Sequence, residues 1–160
     1  MSRLIKSALK LAAAEALRLP VVGSYRFMVE IDGMLVAGFT EVSGLALETE
    51  YEEVTEGGVN HFTHRLPKRT KTQPLVLKRG LTITNALWDW YADVVDGFVE
   101  RKSGSVILFN ELEFEVRRWN FYDAYPYKWS GPDLNASSSA VAIESLELVH
   151  NGLKAVGAFR

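Results

Sequence analysis

The spacing of apolar positions changes near residue 24, from a helical period to a period of two. Before that point Leu4, Ala8, Leu11 and Glu15 form one row and Ile5, Leu9, Ala12, Ala16 and Leu19 the next, so residues 2–19 read as a helix that Pro20 stops. After it, Tyr25, Phe27, Val29 and Ile31 share one face of a strand, and Asp32-Gly33 offers a hairpin turn into residues 35–39. Residues 45–56 alternate in the same way. Leu45, Leu47, Thr49 and Tyr51 fall on one side and Glu48, Glu50 and Glu52 on the other, which predicts one buried face and one strongly acidic face.

Gly57-Gly58 ends that strand, and residues 61–73 read as a long basic loop in which Pro67 and Pro74 limit regular structure. A short strand follows over 75–79. Thr84 or Asn85 can then cap a helix running to about Asp96, with Leu87, Tyr91, Val94 and Phe98 in one stripe, Trp88 and Val95 beside it, and Asp89, Asp93 and Asp96 on the wet side. Gly97 is placed to end it. Residues 106–109 and 114–122 predict a further hairpin across 110–113. An aromatic arm (Trp119, Phe121, Tyr122, Tyr125, Tyr127, Trp129) then lies opposite a β-branched and apolar one over 138–150, with Gly131-Pro132-Asp133 between them.

Several strands with one embedded helix predict a mainly β (α+β) chain, an antiparallel β-sandwich or barrel with one flanking helix at about 84–97 and an extra N-terminal helix. Residues 1–22 read as a helical extension, 23–153 as the β domain and 154–160 as a C-terminal tail. At 160 residues the chain is long enough for one real core. Its 48% hydrophobic and 24% charged content is that of a soluble globular protein, and a net charge of -2 gives no reason to expect a specific nucleic-acid partner. The absence of cysteine removes disulfides, thiolate metal sites and cysteine nucleophiles together. No run reaches the roughly 18 uncharged apolar residues of a membrane span, and Lys10, Glu15 and Arg18 interrupt any secretory signal. The expected address is the cytoplasm.

Candidate chemistry is sparse. His61 and His64 are three apart, which on an extended chain turns them to opposite faces, so no metal site is expected. His150, at a strand end, is expected at the surface or an interface. Ser43-Gly44, Ser103-Gly104 and Ser130-Gly131 are turn chemistry rather than nucleophile elbows. No catalytic group, cofactor or enzyme activity is expected. The charge pattern says more. Glu41, Glu48, Glu50, Glu52, Glu53 and Glu56 precede Asn60 with no base among them, whereas Arg65, Lys68, Arg69, Lys71, Lys78 and Arg79 follow His61 with no acid. Such blocks either pair within one subunit or meet across a head-to-tail contact between copies. The basic side of residues 2–19 suits a helix docked on its own or a neighbouring subunit better than a membrane anchor.

Ordered pieces of the sequence also resemble a known family. They are YRFMVEIDG at 25–33, VSGL at 42–45, EGGVNHF at 56–62, LPKRTK at 66–71, LVLKRG at 75–80, LWDWYADVVDG at 87–97, RWNF at 118–121, KWSGPDLNA at 128–136 and VAIESLELVHNGL at 141–153. This set is similar to the tail tube proteins of contractile phage tails and of extracellular contractile injection systems. The resemblance implies a structural subunit of an inner tube, in which hexameric rings stack into a hollow conduit for DNA or protein effectors. Its expected partners are further copies of itself, sheath protein, baseplate and spike proteins and cargo in the lumen, with membrane contact only by puncture. Assembly is expected in a bacterial or archaeal cytoplasm, as part of a virion or tail-like particle. On this reading Glu48, Glu50 and Glu52 face the lumen. Gly57, Gly58, Asn60, Arg65, Lys68, Arg69 and Lys71 form a loop between rings, and Trp88, Tyr91, Trp119, Phe121 and Trp129 serve as core or subunit contacts. The residues before Tyr25 depart from the family pattern and leave open a tube-initiator ring protein joining tube to baseplate. Outside the family, the aromatics at 122–129 leave open a carbohydrate-binding β-sandwich module.

Overall fold

The computed structural model describes residues 22–157 apart from Ala37, Glu56, Val59 and Asn60, so the helix expected over 2–19 lies outside the described residues. The described part contains ten strands and one helix: β1 (Phe27–Ile31), β2 (Met34–Val36), β3 (Phe39–Ser43), β4 (Leu47–Val54), β5 (His64–Thr72), β6 (Leu75–Gly80), α1 (Ala86–Val95), β7 (Lys102–Phe109), β8 (Glu115–Ser130), β9 (Ile143–Val149) and β10 (Gly152–Gly157).

The β8 strand organises the rest. Its first half pairs antiparallel with β7 on one edge and β10 on the other, with Val106 and Ala155 both opposite Trp119. Its last residues, from Tyr125 to Ser130, pair with β9. Asp123, at φ 52, bends the strand between these halves. One half of the fold therefore reads β2-β1-β7-β8-β10 and the other β8-β9-β6-β3. The hydrophobic core lies between them, built from Val29, Val106 and Phe121 on one side and Leu75, Leu77, Leu146 and Leu148 on the other. Burying these apolar faces is what stabilises the sandwich, at ~25 cal/mol per Å² of apolar surface.

Helix α1 packs Leu87 and Trp90 onto β8. Asn85 stands at its N-cap without a side-chain hydrogen bond. Gly97, at φ 90, closes its C-terminus: Phe98 N–H donates to Asp93 O at 2.8 Å and Gly97 N–H to Val94 O at 3.1 Å. The chain leaves the helix there, and Phe98 becomes exposed instead of continuing the apolar stripe. Trp90, absent from the expected stripe, is the buried tryptophan, held by its indole N–H donating to Glu100 O at 3.1 Å.

Several expected elements differ in extent. The Asp32-Gly33 turn forms with both residues at positive φ, but β2 is short and Gly38, at φ 90, separates Phe39 into a new strand. Residues 61–73, read as a basic loop, contain β5 instead, because residues 64–72 pair antiparallel with the alternating β4, with a register shift between Thr49 and Tyr51. Residues 154–157, assigned to a tail, continue β10 along β8.

Candidate assembly interface

The β4–β5 ribbon stands out from the body, paired with no other strand among the described residues. One of its faces is ionic. Glu50 pairs with Lys71, and Glu52 pairs with Lys68 at 3.0 Å. The Lys71 ammonium, hydrogen-bonded to Glu50, holds that carboxyl below the usual carboxylate range. The opposite face carries Leu47, Thr49, Tyr51 and Pro67, with the Thr49 and Thr70 hydroxyls bonded at 2.8 Å and Arg65 both paired to Glu53 at 3.0 Å and stacked over the Tyr51 ring. The face expected to be buried is not. Leu47 is 51% exposed and Tyr51 58%. A two-stranded ribbon with an uncovered apolar face is marginal by itself.

The ribbon is nevertheless rooted firmly. Gly44, at φ 87, passes so close to Pro74 that a Cβ would meet the Pro74 carbonyl oxygen at 1.9 Å. The Thr72 hydroxyl donates to His150 O at 3.2 Å, and the two His150 ring nitrogens face Gly152 O and Gln73 O, each at 3.0 Å. His150 is thus buried at the junction of ribbon and body rather than placed at the surface. The alternation Glu144, Leu146, Leu148, His150 already set it on the inward face.

The four-stranded half β3-β6-β9-β8 has two edges without strand partners among the described residues: the outer side of β3, and the side of Tyr125–Ser130 away from β9. Its face away from the core is polar and of mixed charge. Glu41 pairs with Lys78 at 2.9 Å and Glu147 with Lys128 at 2.9 Å, among Ser43, Ser130 and Ser145. Tyr127 donates its hydroxyl to Glu147, which pushes the phenol up and, with Lys128, holds the Glu147 carboxyl below its ordinary range.

Behind this sheet sits a pair that sequence reading missed. Arg79 and Glu144 are almost fully buried and meet at 2.6 Å. The Trp129 indole N–H donates to the same carboxylate at 3.1 Å, and Arg79 donates to Thr84 O at 3.3 Å, tying the approach to α1 to the sheet. Trp129 also meets Trp88 edge to face at 4.7 Å. Arg79 continues the inward row of Leu75 and Leu77, so its burial was legible; its partner needed the register between β6 and β9.

The residues singled out from sequence therefore separate into groups. Glu48, Glu50 and Glu52 lie in one row of β4, opposite Lys68 and Lys71 rather than on the four-stranded face. Gly57 and Gly58 form the turn at the ribbon tip, Asn60 lies outside the described residues, and Arg65 and Arg69 are exposed along β5. Phe121 is fully buried in the core, Trp119, Tyr91 and Trp129 are half-buried against it, and Trp88 is partly exposed beside Trp129. Among the described residues no cluster of histidine and carboxylate groups fits a metal ion, and no helix is long and apolar enough to cross a membrane.

Comparisons with known proteins agree on one architecture. The family described as T4-like virus tail tube protein gp19 matches residues 23–154. A chain in the cryo-EM structure of the anti-feeding prophage baseplate, 6-fold symmetrised, is 28% identical with a TM-score of 0.80, over 89% of this chain and 99% of that one. A chain in the anti-feeding prophage cap, the tube terminating cap, is 25% identical with a TM-score of 0.80, over 88% and 93%. A chain in the extended sheath-tube complex of the PVC extracellular contractile injection system shares the fold at 23% identity and a TM-score of 0.79, over 91% and 97%. A search of curated proteins by sequence gives no match.

Proposed function

Because this chain belongs to the T4-like virus tail tube protein family, we propose that six copies close into a ring and that the rings stack into a rigid hollow conduit. The chain is a structural tube component of a phage tail or tail-like contractile injection particle. The observation that carries the finer reading is the pair of unpartnered edges on one four-stranded sheet. A strand edge presents unpaired N–H and C=O groups, and joining β3 of one copy to Tyr125–Ser130 of the next satisfies both edges in a closed barrel. Such a contact is heterologous, and six-fold closure, as in the symmetrised baseplate relative, ends it without a filament growing sideways.

The polar face of that sheet then lines the bore, with Glu41, Lys78, Lys128 and Glu147 already paired and no single-sign field to grip DNA or protein cargo. This assignment replaces the Glu48, Glu50 and Glu52 row, which Lys68 and Lys71 largely neutralise within the ribbon. The ribbon, with its bare Leu47 and Tyr51, reaches the adjoining ring. The role is mechanical and involves no catalysis: a contracting sheath drives the conduit through a target envelope. Assembly takes place in the cytoplasm of the producing cell, on a baseplate and spike. A second reading, a ring that starts or ends the tube, draws on the baseplate and cap relatives.

Sedimentation and negative-stain imaging of the purified chain test the proposal. Rings or tubes are expected, and rings that never stack favour the starting or ending ring. A monomer at every concentration and salt contradicts both.

A further inference from the structure

An apolar cleft opens where the described chain begins. Val22, Tyr25 and Arg26, leading into β1, face Phe109 and Leu112 across a space of about 250 Å³. A neighbouring hollow bounded by Tyr25, Met28 and Glu113 continues it past Phe109. Tyr25 is 67% exposed, Leu112 74% and Phe114 67%, so several large apolar side chains bare to water gather at this end of β7 and β8. The Arg26 guanidinium donates to Glu111 O at 3.0 Å and fixes one wall. The Glu111 and Glu113 carboxylates make no ion pair with another described residue.

We propose that residues 1–19 of the same chain occupy this cleft, their apolar row against Tyr25, Phe109 and Leu112 and their basic side toward Glu111 and Glu113. The occupant is argued from tether, chemistry and charge. Val22 itself lines the cleft, and only residues 20 and 21 join it to the segment, which keeps the segment at high local concentration beside it. The rows Leu4, Ala8, Leu11 and Ile5, Leu9, Ala12 supply apolar cover. Arg3, Lys6, Lys10 and Arg18 outnumber Glu15, opposite in sign to Glu111 and Glu113. The segment precedes the family match at residues 23–154, so this docking is a property of this chain beyond its role in a tube and does not depend on that role.

The native chain has no cysteine, so an engineered pair reports contact without background. Leu11→Cys with Leu112→Cys, oxidised in the full-length protein, should form a disulfide that leaves the chain at monomer mass in a non-reducing denaturing gel. Leu11→Cys with Leu134→Cys, on a distant loop, should not. Hydrogen exchange provides the second measurement. Amides of residues 109–114 should exchange about tenfold faster when Leu4→Glu and Leu11→Glu are introduced together, while the β6–β9 ladder is unchanged. Cross-links only between chains would put a neighbour's segment in the cleft and overturn the proposal. Equal cross-linking of both pairs, or exchange at 109–114 indifferent to the double substitution, would overturn it as well. Ring formation, scored separately by imaging, distinguishes failure of this docking from failure of the tube reading.

Discussion

Replacing Glu144 by Gln removes one charge from the buried pair while keeping the shape and one acceptor for the Trp129 indole. In the native chain Arg79 and Glu144 are 4% exposed each and meet at 2.6 Å, so the substitution strands a guanidinium in the core with only Thr84 O as a firm partner. Breaking a buried pair from one side costs about 3–5 kcal/mol, because the remaining charge keeps its desolvation penalty and loses its compensation. For a domain of this size each kcal/mol lowers the melting temperature by roughly 2–4 °C, so a fall of about 6–20 °C is expected. Thermal unfolding of the dispersed subunit, followed by tryptophan fluorescence, measures that fall, and urea unfolding the free-energy loss. The double change Arg79→Met with Glu144→Leu should recover most of the loss, since an apolar pair of similar volume leaves no charge unpaired. A single substitution within about 0.5 kcal/mol of native stability, or a double no better than the single, would mean that the buried pair does not hold the core in this way.

Gly44→Ala drives a methyl group into the Pro74 carbonyl at a backbone angle L side chains avoid, and should destabilise the ribbon root by about 1–3 kcal/mol, seen as faster proteolysis within β4 and β5. Reversing Lys68, Arg69 and Lys71 to Glu sets like charges against Glu50 and Glu52, so stacking should fail while the core, to which β4 and β5 contribute no buried residue, unfolds as before; tubes of normal length would count against the ribbon's role. Acid should act on the same ribbon. The Glu50 carboxyl is held below its unfolded value by the Lys71 ammonium, so its contribution is present above the ordinary carboxylate range and is lost as pH falls through the lowered value. Tube length measured by imaging across pH 6 to 3 should fall only in the acid part of that range, and a fall already near neutrality would point to another group.

The period-two stretches and the Asp32-Gly33 turn made the β architecture legible, because alternation encodes which side chains share a face. What alternation cannot encode is what covers that face. Leu47, Thr49 and Tyr51 alternate as cleanly as Leu75 and Leu77, yet among the described residues one row is exposed and the other fully buried. The same limit hid β5: lysines, arginines and a proline have low strand preference, and only pairing with the glutamates of β4 makes residues 64–72 extended. Charge blocks revealed that an interaction existed without telling whether it lay within one copy or between two. The structure brings Glu50, Glu52 and Glu53 onto Lys71, Lys68 and Arg65 inside the ribbon. The edges of β3 and β8 had no sequence signature at all, because an unpaired edge is defined by what the rest of the fold leaves undone.

A side-chain-resolution cryo-EM map of the assembled particle would show which strand edges join neighbouring copies. Backbone hydrogen bonds from β3 of each copy to Tyr125–Ser130 of the next are expected, with Lys78 and Glu147 facing the bore. A ring joined instead through β2 or β10, or a bore lined by the ribbon glutamates, would contradict that arrangement.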